Sequence, residues 1–149
     1  MTHPTDIKPR EGDQAGTPWQ AFTTNAPLPP VEFTITPEIV ADYAAAVAAD
    51  AETYQIGGRP VAPPNVLAVY LLAVLYRQYP PIQGIILAKQ NWRWHRPIWA
   101  DEATDIVAEG HVVQTYEKRG KGYVQWQARF ANRQGETIAT AENTVYLPQ

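Results

Sequence analysis

Asp50, Tyr54, Gln55 and Asn65 are polar side chains grouped within a short stretch of sequence. They stand along one connection, DAETYQIGGRPVA (Asp50 to Ala62), and at the opening of the apolar run that follows it. A carboxylate at Asp50 can orient a water or a substrate, and Asp is also a residue that turns favour on local grounds alone. Tyr54, Gln55 and Asn65 can line a channel beside the helix opening, or simply shape a loop and cap a helix. His95, flanked by Arg93 and Arg96 on an expected wet strand face, can meet a phosphate or be solvated. Lys118, Arg119 and Lys121 offer more positive charge, but they fall in a hairpin turn where basic residues need no ligand to explain them. His3, His95 and His111 are far apart and there is no cysteine, so no metal site is expected. No GxGxxG phosphate loop is present.

These residues must be positioned by the stretch from Pro63 to Tyr79, PPNVLAVYLLAVLYRQY. Val66 to Tyr76 is unbroken apolar sequence, so a helix made from it has no polar stripe and is expected to be covered on all sides. The run is well short of the ~20 residues that cross a bilayer, so burial within protein is the reading. Pro63 and Pro64 suit a helix entrance, and Pro80 and Pro81 forbid continuation. Before it, Glu32 to Ile35 reads as a short strand. Thr36 and Pro37 then make an N-cap and N1 pair for a surface helix reaching about Ala49, with Ile39, Val40, Tyr43, Ala44 and Val47 on its apolar face and Asp42 off it.

After Pro81 the period changes from helical to alternating. Ile85 to His95, Thr104 to Glu117, Tyr123 to Ala131 and Thr137 to Leu147 read as strands joined by turns at KRGKG and NRQGE. Val124, Trp126, Ala128 and Phe130 share one face, and Ala139, Ala141, Val145 and Leu147 share another that points inward. Trp92, Trp94, Trp99 and Trp126 are expected in the core, in sheet packing, or in a subunit interface. Residues 1–30 form an irregular, proline-rich lead anchored at Trp19 and Phe22, and residues 31–149 form one domain. Strand, helix, buried helix and antiparallel meander make an α+β order, a sheet wrapped around one long central helix.

With 149 residues, one core suffices. A net charge of -3 and a pI near 5.6 give no electrostatic reason to bind nucleic acid or an anionic membrane. The N-terminus lacks an apolar h-region, so a cytoplasmic location is expected.

Four segments, in this order and spacing, resemble the MaoC-like hydratase and dehydratase family of hotdog proteins. They are FTITPEIVADYAAAVAAD (Phe33 to Asp50), GGRPVAPPNVL (Gly57 to Leu67), HRPIWADE (His95 to Glu102) and NRQGETIATAE (Asn132 to Glu142). The resemblance implies a hotdog fold and chemistry on enoyl or 3-hydroxyacyl thioesters of coenzyme A or acyl carrier protein, with no cofactor. In that family a D-x-N-P-x-H motif supplies carboxylate and imidazole to hold water and exchange its proton, and an A-H-G triplet supplies a backbone N–H to the enolate oxygen.

This sequence departs from both motifs. Asp50 falls at the aspartate position, but Glu52 and Thr53 replace Asn and Pro, and the histidine position falls on Gln55 or, one residue off, Tyr54. An amide does not titrate and tyrosine's reference pKa is ~10, so neither does the work of an imidazole near neutral pH. Ala62-Pro63-Pro64 stands at A-H-G, and a proline at the glycine position has no N–H to donate.

The A-P-P form resembles the non-catalytic halves and small subunits that pair with a catalytic hotdog chain. The expectation is therefore a non-catalytic, acyl-thioester-binding subunit of a heteromeric hydratase or dehydratase, in an obligate dimer or larger assembly. Tyr54, Gln55, Ala62, Pro63, Pro64 and Asn65 would line the substrate channel, with Asp50 the sole candidate for any catalysis. The rivals are a self-sufficient homodimeric hydratase or thioesterase that uses Asp50 with Glu52 or Tyr54 in an altered site, and a catalytically silent module that binds an acyl ligand or acts as a scaffold.

Overall fold

The alternation in the C-terminal half builds a sheet, and the apolar run lies across it. In the computed structural model, which describes residues 15–80 and 83–147, the chain forms β1 (Pro27–Ile35), α1 (Pro37–Ala46), a two-strand hairpin of β2 (Gln55–Ile56) and β3 (Arg59–Pro60), and then α2 (Ala68–Tyr76). β4 (Ile86–Trp94), β5 (Thr104–Lys118), β6 (Lys121–Asn132) and β7 (Thr137–Leu147) follow. The large sheet is five-stranded and antiparallel, in the order β1-β5-β6-β7-β4. Val124, Trp126, Ala128 and Phe130 of β6 are buried, as are Ala139, Ala141, Val145 and Leu147 of β7, while Gln125, Gln127 and Arg129 between them reach the surface. Period two therefore sets the inner face as expected.

Helix α2 packs on that face against β1 and β5, burying Tyr70, Leu71, Val74 and Leu75. Two features differ from the expectation. The prolines do not start an α-helix: Pro64–Leu67 is a 3-10 turn, closed by Val66 N–H donating to the Pro63 carbonyl at 3.0 Å, and α2 begins only at Ala68. Proline can neither donate a backbone hydrogen bond nor cap with its side chain, so the first turn tightens instead. Nor is the helix covered all round, since Val69 is 41% exposed on a flank that none of the described residues covers. The helix ends at Tyr76, Pro80 lies four residues beyond it, and Pro81 lies outside the described residues.

Gly110 of β5 sets how close helix and sheet can come. A Cβ there would strike the Gln127 carbonyl oxygen, stand 3.2 Å from Val74 Cγ1 of α2, and stand 3.3 Å from Leu28 Cδ1 of β1.

The lead is anchored where expected; its first residues, 1–14, lie outside those described. Trp19 Nε1 donates to the Tyr123 carbonyl at 3.0 Å, and the indole lies over Gly122, where any Cβ would collide with it. Phe22 stacks on Tyr79 with ring centroids 4.3 Å apart. β1 begins at Pro27, earlier than Glu32. Its prolines are tolerated because it is an edge strand with a bulge between Leu28 and Val31.

Thr36 caps α1 by accepting from Ile39 N–H at 3.2 Å, with Pro37 at the first helical position. Ile39 and Val40 are buried, but the helix stops at Ala46 and Val47 is exposed. Ala48 then takes a left-handed φ of 51° that turns the chain away. Thr36→Ala should lower stability by about 1 kcal/mol, read as a drop in urea midpoint at unchanged m-value. Unchanged stability would remove the cap from the account.

Trp126 has 0% exposure, and its Nε1 has no acceptor among the described residues. Its cross-strand neighbour Asn143 has Nδ2 in the same condition, although Asn143 Oδ1 accepts from Gln90 Nε2 at 3.0 Å. Leaving a donor unpaired costs ~1–3 kcal/mol, which offsets much of what a smaller ring would lose. Trp126→Phe should therefore cost under about 1 kcal/mol. Calorimetric unfolding checks this, and a loss near 3 kcal/mol, the scale of core truncation, would mean that the indole finds an acceptor.

Candidate functional site

The connection between the helices folds as a hairpin because Gly57 and Gly58 take φ of 59° and 80°, the left-handed pair of a tight two-residue turn. Arg59 then ties it to the segment before β5. Its guanidinium grips Asp101 through Nε at 3.0 Å and Nη2 at 2.8 Å, reaches Glu102 at 3.1 Å, and lies 4.2 Å above the Trp99 ring. The hydrogen bond from Arg59 is the chief reason the Asp101 carboxyl is held below its ordinary range, and Asp101 in turn raises the arginine. The same two segments are joined by backbone: Ala62 N–H donates to the Ile98 carbonyl at 2.8 Å and Ala100 N–H to the Pro60 carbonyl at 3.0 Å. GGRPVAPPNVL and HRPIWADE are thus one structural unit.

Two clefts open beside this unit. The larger, about 630 Å³, is lined by Tyr43, Asp50, Tyr54, Pro63, Pro64 and Asn65, with Trp94 at its edge. The smaller, about 290 Å³, is mostly apolar and includes Ile56, Ala62, Pro64, Trp94, Ile98 and Ile138. The structure therefore brings Asp50, Tyr54, Pro63, Pro64 and Asn65 together, puts Ala62 next door, and makes Pro64 common to both. Gln55 lines neither cleft; its Nε2 lies 3.5 Å from the Ala51 carbonyl oxygen.

The Asp50 carboxylate is spoken for. Oδ1 accepts from Glu52 N–H and Oδ2 from the Thr53 hydroxyl, each at 3.0 Å, the arrangement of a local aspartate turn. Burial, then the neighbouring Tyr54, raises the Tyr43 hydroxyl above its ordinary range, so it stays protonated at neutral pH and is no base. His95 lines the apolar cleft and His111 the outer face of the sheet; neither lines the Asp50 cleft.

Tyr43 and Trp94 are among the cleft residues outside the expected site set. Periodicity assigns Tyr43 to the apolar face of a helix and Trp94 to sheet packing, and only the alternation of Trp92 with Trp94 in sequence points to the face they share. A groove of about 990 Å³ on the outer face of the sheet is larger than either cleft. Several of its polar side chains pair with one another, however: Arg129 faces Glu109 at 3.9 Å and Gln127 donates to Glu142 at 2.6 Å, while Arg93 has no ion-pair partner among the described residues. It reads as a solvated face. No helix among the described residues is long and apolar enough to cross a membrane.

A five-stranded antiparallel sheet with one helix on its inner face is the hotdog fold, and this chain has it in the form found in MaoC-like dehydratases and hydratases. It is similar to the HadBC (3R)-hydroxyacyl-ACP dehydratase complex of Mycobacterium tuberculosis, with a TM-score of 0.70 at 20% identity over 83% of this chain and 96% of that one. It is similar to the (R)-hydratase from A. caviae involved in PHA biosynthesis, with a TM-score of 0.68 at 20% identity over 87% and 99%. It is also similar to the ChsH1-ChsH2 complex of M. tuberculosis, with a TM-score of 0.66 at 13% identity over 85% and 98%. At such identities the likeness is one of fold. No protein-family model and no curated protein matches the sequence.

Proposed function

We propose that this chain is the non-catalytic, acyl-thioester-binding subunit of a heteromeric enoyl-thioester hydratase or 3-hydroxyacyl dehydratase. The observation that carries this reading is the Asp50 cleft. Its one carboxylate is bonded within its own loop, no histidine lines it, and proline stands where the helix entrance would otherwise offer an N–H. Water addition needs a group that exchanges a proton and a donor that meets the developing oxyanion. Tyr54 and Asn65 supply a lining in place of these, suited to holding an acyl thioester.

The need for a partner is supported by the sheet edge. β4 ends the strand order, and its inner-face residues Leu87 (53% exposed) and Gln90 lie uncovered among the described residues. A second hotdog subunit that continued the sheet would cover them. Two of the similar structures are of two-component complexes, in keeping with this assignment. The test is to coexpress the chain with a hotdog chain that carries D-x-N-P-x-H. Copurification in equal amounts, with crotonyl-thioester hydration in the pair and none in this chain alone, is the expected result; turnover by the chain alone would overturn the proposal.

A further inference from the structure

Trp94, with Pro64, belongs to the lining of both clefts. It is 37% exposed, unlike the fully buried Trp126, yet it is held firmly. Its ring lies parallel to Trp92, 4.8 Å away at 5°. Trp92 stacks on Phe130 at 5.7 Å, Phe130 meets Phe33 edge-on at 6.4 Å, and Phe33 stacks on Tyr70 of α2 at 4.1 Å. An aromatic row thus runs from the central helix to the cleft wall. The backbone just past Trp94 is pinned too, because His95 N–H and Arg96 N–H both donate to the Ile138 carbonyl, at 2.8 and 3.2 Å. An exposed indole fixed in this way is a rigid partition.

The spaces on its two sides differ in chemistry. One is walled by Ile56, Ala62, Ile98 and Ile138; the other carries Asp50, Thr53, Tyr54 and Asn65. A ligand with a polar amide- or thioester-bearing arm and an apolar tail matches the pair, the tail in the 290 Å³ space and the arm in the 630 Å³ space. We propose that Trp94 is the specificity-determining residue that limits the length of the acyl tail this chain accepts. This rests on the reading of the chain as an acyl-thioester-binding subunit. The indole face closes the small cleft toward the large one, so a tail that fits within the 290 Å³ apolar space is buried there, and a longer tail meets the ring and must leave part of itself in water.

The test measures equilibrium binding of butanoyl-, octanoyl- and hexadecanoyl-coenzyme A to the wild-type chain, Trp94→Phe and Trp94→Ala, alone and in the coexpressed pair. Melting temperatures serve as the control for folding. Removing the indole joins the two spaces, so Trp94→Ala should raise the preference for hexadecanoyl over butanoyl by roughly tenfold, the scale of a few newly buried methylenes. Trp94→Phe should keep the wild-type order. A wild-type order in Trp94→Ala would overturn the proposal, as would an equal loss of all three ligands by both folded variants, which would make Trp94 a contact and not a partition. Failure of the wild-type chain and the pair to bind any thioester is a separate outcome, and it would remove the subunit reading along with this one.

Discussion

Gly110→Val should cost about 3 kcal/mol or more of folding stability, on the scale of severe overpacking at a core position. Gly110 has ordinary extended backbone, so the penalty is wholly steric. Its missing side chain would enter the Gln127 carbonyl of the neighbouring strand and crowd Val74 and Leu28. None of the three can withdraw cheaply. The carbonyl belongs to the β5–β6 ladder, in which Gly110 pairs with Ala128, and Leu28 belongs to the β1–β5 ladder opposite Gly110 itself. Val74 is fully buried in α2, so relief requires lifting the helix off the sheet. Guanidinium unfolding gives the measurement, with Gly110→Ala expected between the wild type and Gly110→Val. An unchanged midpoint for Gly110→Val would mean that the helix does not sit this close.

The chain alone should hydrate enoyl thioesters at least ~10⁴-fold more slowly than its coexpressed pair. A positioned base is worth 10²–10⁴ and an oxyanion donor 10²–10³, and the two act as a unit and do not simply multiply. Loss of enoyl-thioester absorbance, followed at matched concentrations, gives the ratio. Asp50→Asn in the pair should leave kcat within about threefold, because an aspartate bonded to its own loop contributes little to the barrier. Should the pure chain turn over substrate and Asp50→Asn abolish that activity, the homodimeric alternative would take the place of the subunit reading.

The sheet was legible in the sequence because alternation in β6 and β7 is a local signal: Trp126 and Phe130 fall inside and Gln127 and Arg129 fall outside with no knowledge of the partner strand. The cap at Thr36 was legible for the same reason. The start of α2 was not legible because prolines at a helix entrance are compatible with either an α or a 3-10 first turn, and this chain takes the 3-10 form through Leu67. Exposure of Val69 was invisible because an apolar run does not say which of its sides another molecule covers. Arg59 and Asp101 lie 42 positions apart, and no periodicity joins them. The site was half legible. Asp50, Tyr54, Pro63, Pro64 and Asn65 do converge, through the hairpin's fold back onto the helix entrance, while Trp94 arrives from a strand that sequence alone could place only in a sheet.

On the subunit reading, the bare edge of β4 bears on how such a chain survives before a partner covers it. An open strand is a template for any extended peptide, and Ile86 and Leu87 at its beginning would make such pairing adhesive. Lys89 and Arg93, which point to the opposite face of the same strand, oppose the stacking of like copies by mutual repulsion. Those two cations thus act as wardens against fibrous growth, and on the subunit reading an excess of this polypeptide over its mate would be a burden on chaperones and proteases.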